Sequence, residues 1–107
     1  MSDLDFTIGC TVTFFSKKRR TPPNLNNGKY CPHLVIKGSE QLLGVNFIDG
    51  EDVIFDKQIR ANALSLYETA DYSALQEGTE FLIMEGGNIV GEGIVKEIFQ
   101  HKPYGRK

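Results

Sequence analysis

The sequence predicts an all-β domain, a barrel or sandwich of six or seven short strands. Three observations carry that reading. Runs rich in Val, Ile, Phe and Thr recur at short spacing, and Gly, Asn and Pro stand between them. The first run alternates at period two: Phe6, Ile8, Cys10, Val12 and Phe14 fall on one face, against Thr7, Gly9, Thr11, Thr13 and Phe15. No strand–helix rhythm of the kind that builds a doubly wound sheet appears.

In chain order, residues 6–15 form the first predicted strand. Residues 16–29 form a long loop: Lys17-Lys18-Arg19-Arg20, then Pro22-Pro23, then Asn24 to Gly28. The prolines exclude a helix there, and Asn27-Gly28 marks a tight turn. A loop of this length in a small domain suggests function or mobility. The second strand spans about Tyr30–Lys37, with His33, Val35 and Lys37 opposite Leu34 and Ile36. The third spans about Leu42–Ile48 and stops at Asp49-Gly50. A short extended piece follows at Val53-Ile54-Phe55. The fourth strand runs from Ile59 to about Tyr67. Local propensity leaves helix and strand equally open over residues 60–76, where Leu64, Tyr67 and Leu75 share a helical face. The last two strands, Glu80–Glu85 and Ile89–Phe99, flank Gly86-Gly87 as a hairpin.

The chain has 107 residues, enough for one domain that buries roughly 65% of its unfolded surface. We expect a barrel over residues 1–101 and a basic tail over residues 102–107. No apolar run approaches a membrane span, and the acidic Met1–Asp5 start is unlike a signal peptide. The expectation is a cytoplasmic protein without a membrane partner. Net charge is −2, but unevenly placed. Residues 1–37 hold six basic and two acidic residues, residues 38–101 hold three against twelve, and residues 102–107 hold three against none. Such asymmetry can make one basic face on an acidic body.

Sites of chemistry are few. Cys10 and Cys31 are expected to be free, buried, small apolar residues. Their spacing to His33 and His101 matches no zinc-ligand pattern, so neither metal nor cofactor is expected. The glycines around Glu85-Gly86-Gly87-Asn88 lack the Lys and Ser/Thr of a phosphate loop, and another strand follows them. They read as a turn, plus positions where strands pack closely. No nucleophile stands beside a base and an orienting carboxylate, and the expectation is that the chain is not an enzyme.

The segment Leu75-x-x-Gly78-x-x-Phe81-x-Ile83-x-Glu85-Gly86-Gly87-x-x-Val90-Gly91-x-Gly93-x-Val95 resembles the last two strands of the third, C-terminal domain of elongation factor Tu. Upstream, Arg20-Thr21-Pro22 and Gly28-Lys29-Tyr30-Cys31-Pro32-His33 resemble that family's long first loop. Residues 38–70 match it only in strand rhythm. The resemblance implies a six-stranded antiparallel Greek-key barrel, and a strand rather than a helix from Arg60 to Tyr67, followed by an irregular turn around Ala70–Ser73. It also implies the surroundings of that barrel in the intact factor, which packs on the second domain, meets the GTPase domain and contacts the acceptor–T stem of aminoacyl-tRNA.

This chain carries Met84, Asn88 and Cys31 where the family has arginines. Three cationic donors are thus absent from motifs otherwise kept, and each lost phosphate contact weakens RNA binding. The expectation is a stand-alone binding module for a protein partner, by mimicry of the factor or as an immunity-type protein. The alternative is an RNA- or tRNA-binding accessory of translation. No nucleotide is expected to bind. The residues expected to carry binding are Lys17, Lys18, Arg19 and Arg20, all four exposed on a poorly ordered loop, together with Tyr30, His33, Glu85 and Asn88.

Overall fold

The computed structural model describes residues 6–66 and 71–100. Six strands occupy them: β1 (Phe6–Phe14), β2 (His33–Ile36), β3 (Leu43–Gly50), β4 (Ile59–Ser65), β5 (Glu80–Glu85) and β6 (Asn88–Gln100). No helix occurs among the described residues. All neighbours are antiparallel, and the strands close in the order β1-β4-β3-β2-β5-β6, with β6 returning to β1. β2, β3 and β4 meander, and β1 lies beside β4 after a long connection, which is a Greek key. Closure leaves no unpaired sheet edge.

Period-two patterning decides the interior. Ile8, Cys10, Val12 and Phe14 of β1 point inward and are buried, as their alternation predicts. They meet Leu34, Val45, Phe47, Ala61, Ala63, Phe81, Ile83, Val90 and Val95 in one core. β6 approaches its neighbours through glycine. A Cβ on Gly93 would lie 2.6 Å from Phe81 Cζ, and one on Gly91 would lie 2.5 Å from the Thr13 carbonyl oxygen. The glycine-dense stretch is therefore packing as well as turn. The hairpin itself has positive φ only at Gly86, the first of its two central residues, as in a type II′ turn.

Several boundaries differ from those the sequence predicts. β2 is shorter because Pro32 has no N–H to exchange across the ladder. The carbonyls of Tyr30 and Pro32 still accept from Phe47 N (3.0 Å) and Val45 N (3.1 Å), so pairing there is one-sided. Val53–Phe55 is not a strand. That connection ends in Asp56 at φ 65°, whose amide donates to the Phe14 carbonyl at 2.7 Å. Residues 60–65 are strand, so the helical alternative fails there: Ala61 and Ala63 face the core while Arg60 faces solvent. Tyr67 and Ala70 lie outside the described residues, as do His101 and the basic tail.

One end of the barrel, here called the mouth, is formed where β1, β3 and β5 finish and β2, β4 and β6 begin. The β1–β2 connection crosses it. At the opposite end, Tyr72 is buried against Phe6 (ring centroids 5.9 Å apart) and donates its hydroxyl to the Gly44 carbonyl at 2.5 Å.

Candidate functional site

The β1–β2 connection is packed onto the mouth, not a free loop. Pro23 and Leu25 are buried. Leu25 leans on Gly50, where an added Cβ would come 2.8 Å from its Cδ1. The Asn26 side chain imitates a strand neighbour: Nδ2 donates to the Gly50 carbonyl (3.0 Å), and Oδ1 accepts from the Gly50 amide (3.1 Å). Asn24 and Asn27 each accept the amide two residues on, at 2.8 and 3.0 Å. These are the turns asparagine favours.

Arg19 corrects the expectation of four exposed cations. Lys17, Lys18 and Arg20 are exposed, but Arg19 turns inward. Its Nε pairs with Glu85 Oε2 at 2.7 Å, and its Nη1 donates to the Thr21 carbonyl. Its guanidinium lies 5.5 Å from the Tyr30 ring centroid. Tyr30 donates its hydroxyl to the same Glu85 oxygen at 2.6 Å. Beneath, Tyr30 stacks on Phe47 (5.8 Å) and meets Phe14 edge-on (6.0 Å). Burial, then the Glu85 hydrogen bond and charge, push the Tyr30 hydroxyl well above its ordinary value against the opposing pull of Arg19. That hydroxyl stays a neutral donor. The cluster holds the loop shut over the aromatic floor.

The other predicted residues are not gathered there. His33 is half-buried on the wall, in register with Met84 and Gly44. Asn88 is exposed across the hairpin from Glu85. Cys10 is buried, as expected, and burial pushes its thiol up to about 12. Cys31 is exposed, contrary to expectation, because it lies in the one-sided stretch before β2. Among the described residues no cluster of three or more His, Cys, Asp or Glu side chains is placed to hold a metal. No helix there is long and apolar enough to cross a membrane.

Two features escape the sequence. One is the outer wall of β6, β5 and β2. Register aligns Ile89, Met84 and His33 in one row, and Glu92, Leu82 and the buried Val35 in the next. Ile89 is exposed, and Leu42, preceding β3, is 52% exposed. The other is a groove of about 490 Å³ on the far wall, floored by Gly9 and lined by Asp49, Arg60, Asn62, Lys96 and Phe99. Asn62 Nδ2 already donates to Asp49 there, at 2.7 Å. Compared with known protein families, the chain matches none.

Proposed function

We propose that this chain is a non-enzymatic binding module, built on a barrel resembling the C-terminal domain of elongation factor Tu, and that its partner is a protein. The observation that carries this reading is a strip of apolar side chains on the outer wall, exposed Ile89 beside half-buried Met84 and Leu82, with Leu42 exposed before β3. Apolar side chains left accessible to solvent mark protein contact more than phosphate contact. Tyr30, the aromatic ring that Arg19 of the basic run lies against, supports it too. Phe47 and Arg19 cover it, so it offers no face for a base to stack on. Resemblance to the translation factor makes mimicry of that factor, or an immunity-type role, the natural setting for such a module. The test is capture from cell lysate by the immobilised chain, with and without nuclease. Retention of captured protein after nuclease is the expected result. Loss on nuclease treatment would turn the reading to RNA.

A further inference from the structure

The basic run is clamped between two exposed isoleucines. On one side, the Phe15 amide donates to the Val90 carbonyl at 2.9 Å, which fixes the chain leaving β1 against the start of β6 and Ile89. On the other side, Asp56 N bonds the Phe14 carbonyl, and Ser16 N bonds Asp56 Oδ1 at 3.1 Å. That fixes the β3–β4 connection, with Ile54 54% exposed, against the same turn. The Lys18 amide closes the turn on the Phe15 carbonyl at 3.2 Å. Lys17, Lys18 and Arg20 project from a backbone held at both ends, with Lys57 beside Asp56.

Charge separates along the barrel axis. Among the described residues the mouth carries Lys17, Lys18, Arg19, Arg20, Lys29 and Lys57 against Glu51, Asp52, Asp56 and Glu85. Glu85 is engaged with Arg19 and Tyr30. The opposite end carries Lys37 against Glu40, Asp71, Glu77 and Glu80. A partner approaching the mouth therefore meets excess positive charge flanked by two apolar side chains.

We infer that the mouth rim is a docking surface for an acidic protein surface that also presents apolar side chains. Lys17, Lys18 and Arg20 would steer and orient it, and Ile54 and Ile89 would be buried against it. This rests on the reading of the chain as a protein-binding module. Charge complementarity names the sign of the partner. The isoleucines separate a protein from a polyanion, because a phosphate backbone gains nothing by covering a branched aliphatic side chain. Pre-ordering by Arg19, Leu25 and Asn26 means little loop entropy is lost on docking.

The test places a photo-crosslinking residue, one at a time, at Lys18, Ile54, Ile89 and the remote Leu42, in lysate with and without nuclease treatment. Adducted peptides are then sequenced. Two further variants, Lys17→Glu/Lys18→Glu/Arg20→Glu and Ile54→Ser/Ile89→Ser, carry the crosslinker at Asn88. All replaced residues are exposed, so thermal midpoints are expected to stay within a few degrees of wild type. The expected result is adducts from positions 18, 54 and 89 to acidic, apolar-containing peptides of one protein. Position 42 gives none, and both variants lose the adduct at least tenfold. Raising salt from 0.05 to 0.5 M should weaken wild type more than the charge-reversed variant. Protein adducts from position 42 alone would overturn this surface while leaving the protein-binding reading standing. Adducts from the rim to basic peptides, or adducts unaffected by charge reversal, would overturn the inference too. Nuclease-sensitive adducts, or none anywhere, would overturn both.

Discussion

At the residue scale, three side chains distant in sequence close the mouth, and each has a distinct consequence. Glu85→Ala leaves the Arg19 guanidinium and the Tyr30 hydroxyl without their shared acceptor. Half-buried donors so stranded cost about 2 kcal/mol. Urea unfolding should show that loss, whereas Arg20→Ala should fall within about 0.5 kcal/mol of wild type. The Arg19–Glu85 coupling itself should be only about 1 kcal/mol in a double-mutant cycle, since the side chains remain 22% and 32% exposed. Tyr30 adds a pH signature. Its folded-state value is raised above the ordinary 10, so the folded chain holds this proton more tightly than the unfolded chain. That contribution is complete below pH 10 and is lost as pH rises beyond it. Tyr30→Phe should remove this share of the alkaline loss, and a stability–pH profile above pH 9 would show an unchanged slope if the assignment is wrong. The cysteines differ in the same physical terms. Cys31 is exposed and should react with a thiol reagent in the native protein. Cys10, buried and raised to about 12, should react only after unfolding. Two equivalents consumed at native rates would contradict the core placement.

At the scale of elements, strand identity was legible because period-two patterning marks β1 and the Gly86-Gly87 turn marks the β5–β6 hairpin. Ile8, Val12 and Phe14 could be assigned to the core by alternation alone. What alternation could not show was the packing of segments without regular structure. Leu25, among asparagines and prolines, is 2% exposed, yet nothing in its neighbourhood is periodic. Leu25→Ala should cost about 2–4 kcal/mol, the range for a buried leucine that leaves a cavity. It should also loosen the rim, seen as faster amide exchange over residues 15–30. The glycines separate by cause. Gly93→Ala forces a methyl into the Phe81 ring and should destabilise by at least about 1–3 kcal/mol. Gly87→Ala meets nothing within 4 Å and lacks a positive φ, so it should be close to neutral. Equal midpoints for these two variants in thermal denaturation would remove close packing as the reason for glycine at residue 93.

At the scale of the whole molecule, the candidate site was only half legible. The sequence marks Lys17–Arg20 as a charge cluster, because charge runs need no fold to be seen. It cannot show that Arg19 is withdrawn from that cluster, since its partner lies 66 residues away and only barrel closure brings the two together. Nor can it show that Ile54 and Ile89 flank the same turn. Closure has a kinetic consequence as well. β1 is held on one side by β4, with Val12 opposite Ile59, and on the other by β6, with Phe6 opposite Gln100. The first strand therefore cannot complete its pairing until the last has been placed. Such long-range pairing loses loop entropy before its contacts return it, and folding slows accordingly. We expect refolding in milliseconds to seconds, with β1 docking late. Gly91→Ala, whose added Cβ would meet Thr13 and Phe14 of β1, should then mainly speed unfolding and leave the folding rate nearly unchanged. Stopped-flow chevrons would decide it. Microsecond refolding, or a folding limb slowed in proportion to the stability lost, would mean that the seam forms early and the barrel closes before its interior is packed.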